Sequence, residues 1–390
     1  MLKKVSLAAL VAMGGMSFAS ATPLTEAIKN VDLNGMLRIR FYYDDPDGSH
    51  SYRRWRTNGI FIFKVPVSEN IKFVVRNSVE SNVYVHDDNT VVPDGVNTDK
   101  VNKVDDNIVN NLLFMAYSKD GFNAILGKIP VATPVTSADP AAPGHGAGVI
   151  ASYKVNDNLT GAAFFIDALK NPADNTGLGP VIPNNIYGAA AIFNVESVKG
   201  QVWFFHVTNV MQYLVTASLD AKLPTDYNVG LHVDLATGDA NDATVPNSDA
   251  KTYFNVALNA SVDAVCVKVG YAYTDKNTSP VEFSADAPIG AVIPTANNYN
   301  IANLQDTSSI YGKLGYQVDA NTNVYLAAQY QNAENDAKNP DNDLVEYTIG
   351  ANYKANKKLS FSAYYDVADW DSKASNSDKN EFKFEAKYTF

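Results

Sequence analysis

The chain ends in EFKFEAKYTF, residues 381–390, where aromatic or small apolar side chains alternate with charged or polar ones up to the last residue. Strict alternation over such a stretch is typical of a β-strand with one apolar and one polar face. A soluble domain usually ends in residues that fray in water. The last strand therefore predicts that one of its faces meets a nonpolar medium while the other meets water.

The same alternation recurs along the chain, for example in VEYTIGANYK at 345–354 and LSFSAYYDVA at 359–368. Counting such runs gives about eighteen strands, each near the length of a tilted transmembrane β-strand. The predicted strands cover residues 31–43, 52–65, 71–85, 108–118, 122–128, 148–154, 159–168, 186–195, 201–207, 211–222, 227–236, 251–261, 264–275, 308–318, 323–332, 344–354, 359–368 and 380–390. The sequence thus predicts an all-β fold, a transmembrane antiparallel β-barrel.

The connections between these strands alternate in length. KDG at 119–121 and LPTD at 223–226 are short and turn-like, whereas 86–107 and 276–307 are long and rich in Asp, Asn, Pro and Gly. Barrels of the bacterial outer membrane have short periplasmic turns and longer external loops. In hydrocarbon, only a helix or a closed sheet satisfies all backbone polar groups. This pattern favours an outer-membrane barrel over a soluble all-β or repeat protein.

The chain begins with Lys3 and Lys4, an apolar run, and the small residues Ala19 and Ala21 on either side of Ser20. These features predict a cleaved signal peptide over residues 1–21, followed by one barrel domain over 22–390. The single cysteine excludes an intramolecular disulfide, and the formal net charge of −11 argues against a nucleic-acid partner.

Arginine is confined to one part of the chain, between positions 38 and 76. A barrel of about sixteen to eighteen strands leaves an aqueous channel, lined by the polar faces of its strands. An arginine that faces lipid costs about 2–4 kcal/mol at the bilayer midplane, so the alternation turns most of these side chains inward. Arg53 is the predicted exception, near an outer strand end. The predicted basic ladder along the pore consists of Arg38, Arg40, Arg54, Arg56 and Arg76.

The segment IPVATPVTSADPAAPGHGAG, residues 129–148, connects two predicted strands and is rich in Pro, Gly and Ala. Its composition suits a loop that folds into the lumen and narrows it, with Asp139 as its one acidic residue; an ordinary external loop is the alternative. Asp167 and Asp174 would extend the acidic side of the constriction.

Several stretches resemble one known family of porins. TPLTEAIKNVDLNGMLRIRFYYD at 22–44, LTGAAFFIDA at 159–168, IYGAAAIFNV at 186–195 and KLSFSAYYDV at 358–367 are similar to the Campylobacter-type major outer membrane protein porins of ε-proteobacteria. The likeness is spread over the whole mature chain. It implies a homotrimeric porin of about eighteen strands, embedded in outer-membrane lipid and somewhat cation-selective, to which adhesion is sometimes attributed.

The resemblance also implies a calcium ion near the constriction, held by acids that correspond to Asp139, Asp174 and Glu282. This sequence departs from the family pattern next to Asp139, where Pro140 is followed by two alanines in place of a second acid.

The residue patterns do not favour an enzyme, because the five histidines are scattered without the spacing of a catalytic constellation. We predict a general diffusion porin that passes ions and small hydrophilic solutes, is weakly cation-selective and requires no cofactor. One alternative is a surface adhesin or structural barrel with a closed lumen. Another is a substrate-specific channel, although few aromatic residues besides Tyr42, Tyr325 and Tyr364 are predicted to face inward.

Overall fold

The protein is an antiparallel β-barrel closed end to end. The computed structural model describes residues 31–47, 51–86, 104–140, 143–170, 181–225, 227–243, 245, 248–297, 299–333, 343–371 and 378–390. Among these residues, no helix has the length and hydrophobicity to cross a membrane. The strands are β1 (Asp32–Pro46), β2 (Tyr52–Pro66), β3 (Ile71–His86), β4 (Val104–Lys119), β5 (Phe122–Pro130), β6 (His145–Asn156), β7 (Leu159–Lys170), β8 (Val181–Ile182), β9 (Ile186–Val195), β10 (Val198–Val207), β11 (Met211–Lys222), β12 (Asn228–Ala240), β13 (Lys251–Val262), β14 (Val265–Thr274), β15 (Thr307–Gln317), β16 (Thr322–Ala333), β17 (Leu344–Lys354), β18 (Leu359–Trp370) and β19 (Lys379–Thr389).

The barrel closes where β1 pairs with β19, from Met36 opposite Thr389 to Pro46 opposite Lys379. Both β8 and β9 pair with β7, so they share one position and the barrel has 18 strand positions, as the sequence predicts. Past the end of β19, the Phe390 N–H donates to the Gly35 carbonyl at 3.2 Å, and the Gly35 N–H donates to the Phe390 carbonyl at 3.1 Å. These two bonds extend the seam between β1 and β19 through residue 390.

The predicted alternation sorts side chains between the outside and the inside of the barrel. On β1, Leu37 and Ile39 are exposed on the outer surface, whereas Arg38 and Arg40, which alternate with them, are buried inside. Outward tyrosines near strand ends, such as Tyr153, are exposed and suit an interfacial aromatic belt.

Short turns connect consecutive strands at one end of the barrel. In the turn between β4 and β5, Asp120 and Gly121 both have positive φ, 49° and 81°, as a two-residue type I′ hairpin requires. Several strands are longer than predicted; for example, β4 already begins at Val104 and β6 covers His145–Asn156. Backbone pairing with the neighbouring strand continues there, beyond the clear alternation of side chains.

Two of the long connections fold into the barrel, and we call their described residues the first inner loop (131–140 and 143–144) and the second inner loop (275–297 and 299–306). The Phe283 N–H donates to the Val135 carbonyl at 2.7 Å, and the Ile289 N–H donates to the Pro134 carbonyl at 3.0 Å. The two loops are thus joined into one body, the plug. The second inner loop was expected to be external from its length and polar composition, and that expectation is wrong.

The plug packs against one side of the lumen, the inner faces of β5 to β14, which we call the apolar half. Trp203 and Phe205 of β10 stack with ring centroids 6.0 Å apart, and Phe205 meets Phe283 of the plug edge-on at 5.9 Å. Leu214 and Tyr253 from neighbouring strands are fully buried in the same cluster. The expectation of few inward aromatics is therefore wrong, because β10 carries apolar side chains on both of its faces.

Candidate constriction site

The opposite side of the lumen, the inner faces of β17 to β19 and β1 to β3, is the charged wall. The strand register sets Arg40 of β1 directly opposite Arg56 of β2, and Tyr42 opposite Arg54. Arg38 and Arg40 are buried, while Arg54 and Arg56 are half-buried. The structure therefore places these four predicted arginines on one inner wall.

Partners on the same wall hold these like charges together. The Arg40 Nη2 donates to Asn58 Oδ1 at 2.7 Å, and Arg56 Nε pairs with Glu80 Oε1 at 2.5 Å. The Arg54 guanidinium lies 4.2 Å from the centre of the Tyr42 ring, a cation–π distance. Arg53, the predicted exception, is exposed.

The first inner loop reaches the charged wall at its tip. Arg38 Nη2 lies 3.8 Å from Asp139 Oδ1, and Arg76 Nη2 donates a short hydrogen bond to the Pro140 carbonyl. The hydrogen bond from the buried Arg76 side chain fastens the loop tip to the wall. Asp139, in contrast, keeps 30% of its side-chain surface exposed. The partly exposed groups at this point are Arg56, Glu80 and Asp139, which makes it the candidate constriction.

The other two predicted acids are not brought to this point by the described contacts. Asp167 is exposed on β7, where the register with β6 shifts by one residue. Asp174 lies outside the described residues. Glu80 was not predicted from the sequence. This acid lies on the same alternating inner face of β3 as Arg76, two strands away from Arg40, and that alternation was the available signal.

A second group of acids crosses the charged wall nearer the long-loop end. Asp366 of β18 lies opposite Glu381 of β19, which in turn lies opposite Asp44 of β1. Lys379 joins two of them, with Nζ 2.7 Å from Asp44 Oδ1 and 2.6 Å from Glu381 Oε2. All three carboxyl groups are buried. Like charges on facing positions destabilise a sheet, so this lysine is needed to offset them.

The calcium candidates do not form a ligand set among the described residues. Glu282 is fully buried within the plug, where Asn300 Nδ2 donates to its Oε1 at 2.7 Å. Asp139 pairs with Arg38 on the wall. No group of three or more His, Cys, Asp or Glu side chains in the described part of the chain is arranged to hold a metal ion.

A closed barrel with a charged inner wall and inward-folded loops defines the class of outer-membrane channels known as porins. Within that class, the chain belongs to the Campylobacter major outer membrane protein family, whose family profile matches residues 1–390. It is a protein of the bacterial outer membrane, and a channel rather than an enzyme.

Solved structures share the fold at low sequence identity. Acinetobacter baumannii OccAB4 superposes with a TM-score of 0.71 at 13% identity, covering 96% of this chain and 100% of its own. Pseudomonas aeruginosa OpdK, solved with vanillate, gives a TM-score of 0.73 at 14% identity, covering 93% and 99%. For OprD of the same organism the TM-score is 0.70 at 11% identity, covering 92% and 93%. No curated protein sequence matches the chain significantly.

Proposed function

We propose that this porin is a general diffusion channel for ions and small hydrophilic solutes, with a weak preference for cations. The observation that carries the proposal is the division of the lumen. The plug and the apolar half form a dry cluster, whereas Arg56, Glu80 and Asp139 keep part of their surface exposed at the constriction. Water and ions would therefore pass beside the charged wall.

At the constriction, a solute would meet positive and negative groups on facing surfaces. The arginines of β1 and β2 lie on the barrel wall, and Asp139 lies on the first inner loop. A fixed field of this kind acts on a solute's charge and dipole without binding it tightly, which suits passage of many small polar molecules. Asp167 and Asp174 are proposed to extend the acidic side.

The proposed cation preference rests on how the charges are compensated. The arginines at the constriction have acidic or polar partners, for example Glu80 for Arg56 and Asp139 for Arg38. The whole chain carries a formal net charge of −11, so its acidic side chains outnumber its basic ones. An excess of negative charge near a pore enriches cations at its entrance.

Three further features belong to this proposal. Residues 1–21 are a signal peptide that is removed on export, which mass spectrometry of the mature N-terminus would test. The barrel assembles as a homotrimer, which crosslinking in outer membranes would test. Calcium bound by Asp139, Asp174 and Glu282 is tested by calorimetric titration with the purified protein.

The channel itself is tested by single-channel recording in planar bilayers with a salt gradient. We expect stable ohmic steps and a reversal potential on the cation side. A barrel that inserts but gives no steps would contradict the proposal and favour the closed adhesin or structural barrel.

A substrate-specific channel is the second candidate, favoured by one observation. Tyr42 lies against Arg54 and within 5.5 Å of Lys383, an aromatic ring among cations beside the constriction. The related fold of OpdK was solved with vanillate. Block of the current by a panel of charged and neutral solutes separates the candidates, because a general channel shows no saturable block.

A further inference from the structure

One short segment of the second inner loop, residues 295–297, is tied to the charged wall through two carboxyl groups, and we call it the strap. Thr295 Oγ1 donates to Glu346 Oε2 at 2.6 Å, and the Asn297 N–H donates to Glu346 Oε1 at 3.0 Å. The Asn297 side-chain amide donates to Asp366 Oδ2 at 2.5 Å. Each end of the strap therefore bonds to a carboxyl group of β17 or β18.

The middle of the strap is held as well. The Ala296 N–H donates to Thr348 Oγ1 at 2.9 Å, and Thr348 lies opposite Asp366 in the sheet. From the other side, Gln329 of β16 donates a short hydrogen bond to Glu346 Oε2. The two carboxyl groups thus sit in a network that links three barrel strands to one loop segment.

Both carboxyl groups are fully buried, with 0% of their surface exposed. They do not line open water, so they make no direct contact with a passing ion. Burying a carboxyl group is costly unless hydrogen bonds replace its hydration. Here the strap supplies much of that replacement, so the position of the strap and the burial of the acids depend on each other.

Most of the rest of the second inner loop is held by burial, with added hydrogen bonds from Lys251 Nζ to the Asn303 and Leu304 carbonyls. Val281 and Phe283 are buried in the apolar half, and this contact is non-directional. After the strap, Tyr299 packs edge-on against Trp370 with ring centroids 5.2 Å apart. The strap is therefore the part of the loop whose position depends on directional bonds to the charged wall.

We propose that Glu346 and Asp366 are positioning residues that hold the strap against β17 and β18 and thereby set the width of the open path beside the charged wall. The inference rests on the proposed channel function. It assigns the control of pore width to two acids that the open path never touches. Loss of both acids frees the strap while the apolar half still retains the loop.

The test is single-channel conductance of Glu346→Ala combined with Asp366→Ala, in about 1 M KCl, where the Debye length is about 3 Å and lost charge matters little. Because conductance follows pore width, we expect a change of roughly 1.5-fold or more and a noisier open level than in the wild type. Glu346→Gln keeps an oxygen for the Asn297 N–H but places an amide NH2 where Oε2 accepts from Thr295 and Gln329, so it should change the conductance less than the alanine pair does.

A second pair of substitutions, Thr295→Val with Asn297→Ala, changes the strap alone and leaves the barrel strands unaltered. It therefore keeps the test possible if the first pair fails to fold. It should reproduce the altered conductance. The matched control is Asp234→Ala on β12, another buried inward carboxyl, which accepts hydrogen bonds from Ser218 and Asn255 of neighbouring strands. We expect its conductance to equal that of the wild type.

The outcomes separate the two proposals. A wild-type protein without conductance steps overturns the channel function itself. If the wild type gives normal steps and the Thr295→Val, Asn297→Ala variant has unchanged conductance, the positioning role alone is overturned. An equal change in Asp234→Ala would also overturn it, since any buried carboxyl would then have the same effect.

Discussion

The apolar half and the charged wall are both made from antiparallel strands, yet they hold the inner loops mainly by different forces. In the apolar half, Phe205 meets Phe283 of the plug in a dry cluster. On the charged wall, Arg76 and Glu346 reach the loops through hydrogen bonds. Burial is strong and non-directional, whereas hydrogen bonds fix positions. The apolar half therefore retains the plug, and the charged wall sets the positions of its edges.

The largest expected effect comes from the apolar half. Phe205→Ala removes a fully buried ring from the plug contact and should destabilise the folded barrel by about 3–5 kcal/mol. The measurement is thermal unfolding of the detergent-solubilised protein followed by circular dichroism. Phe204→Ala, on the adjacent outward position that is 45% exposed, is the matched control and should cost much less. Equal losses for both would break the distinction between the inside and outside of β10.

A smaller effect is expected on the charged wall, where the charge rather than the stability changes. Arg38→Ala with Arg54→Ala removes two inward positive charges and should raise the cation-to-anion permeability ratio roughly twofold. The reversal potential in a salt gradient measures it. Lys251→Met is the control, because that lysine is fully buried against the plug, donating to the Asn303 and Leu304 carbonyls. An unchanged reversal potential in the arginine variant would show that the basic ladder does not affect ion selectivity.

The smallest effect concerns the ion pair between Arg56 and Glu80, whose side chains are 30% and 29% exposed. Glu80→Gln should change stability by only about 0.2–1 kcal/mol, as for other partly exposed pairs. It leaves Arg56 uncompensated, so the reversal potential should move toward anions, opposite to the arginine variant. An unchanged reversal potential would show that Glu80 does not face the path.

Much of the barrel could be predicted from the sequence, because lipid on one side and water on the other force alternation on every strand. The terminal EFKFEAKYTF indicates the strand that pairs with β1 to close the barrel. The alternation of short and long connections along the chain matches the two ends of the barrel. The inward face of Arg38 and Arg40 follows from Leu37 and Ile39 alone.

The plug could not be predicted in the same way, because its position depends on contacts between distant segments. The second inner loop has the polar composition of an external loop, yet Val281 and Phe283 are buried inside. One local signal was present: in VWFFHV at 202–207, apolar residues stand on both faces, which indicates a strand buried on both sides. The burial of Glu346 and Asp366 had no such signal, because inward acids are expected in any water-filled lumen.

Cysteine accessibility in a Cys266→Ser background, which removes the one native cysteine, tests whether the open path runs only beside the charged wall. Ser362→Cys lies on the inner face of β18, and Ala257→Cys lies on the inner face of β13, fully covered by the plug. A charged, water-soluble methanethiosulfonate should react with the first and reduce its conductance, and leave the second unmodified. Rapid modification of Ala257→Cys would show that the open path also reaches the apolar half.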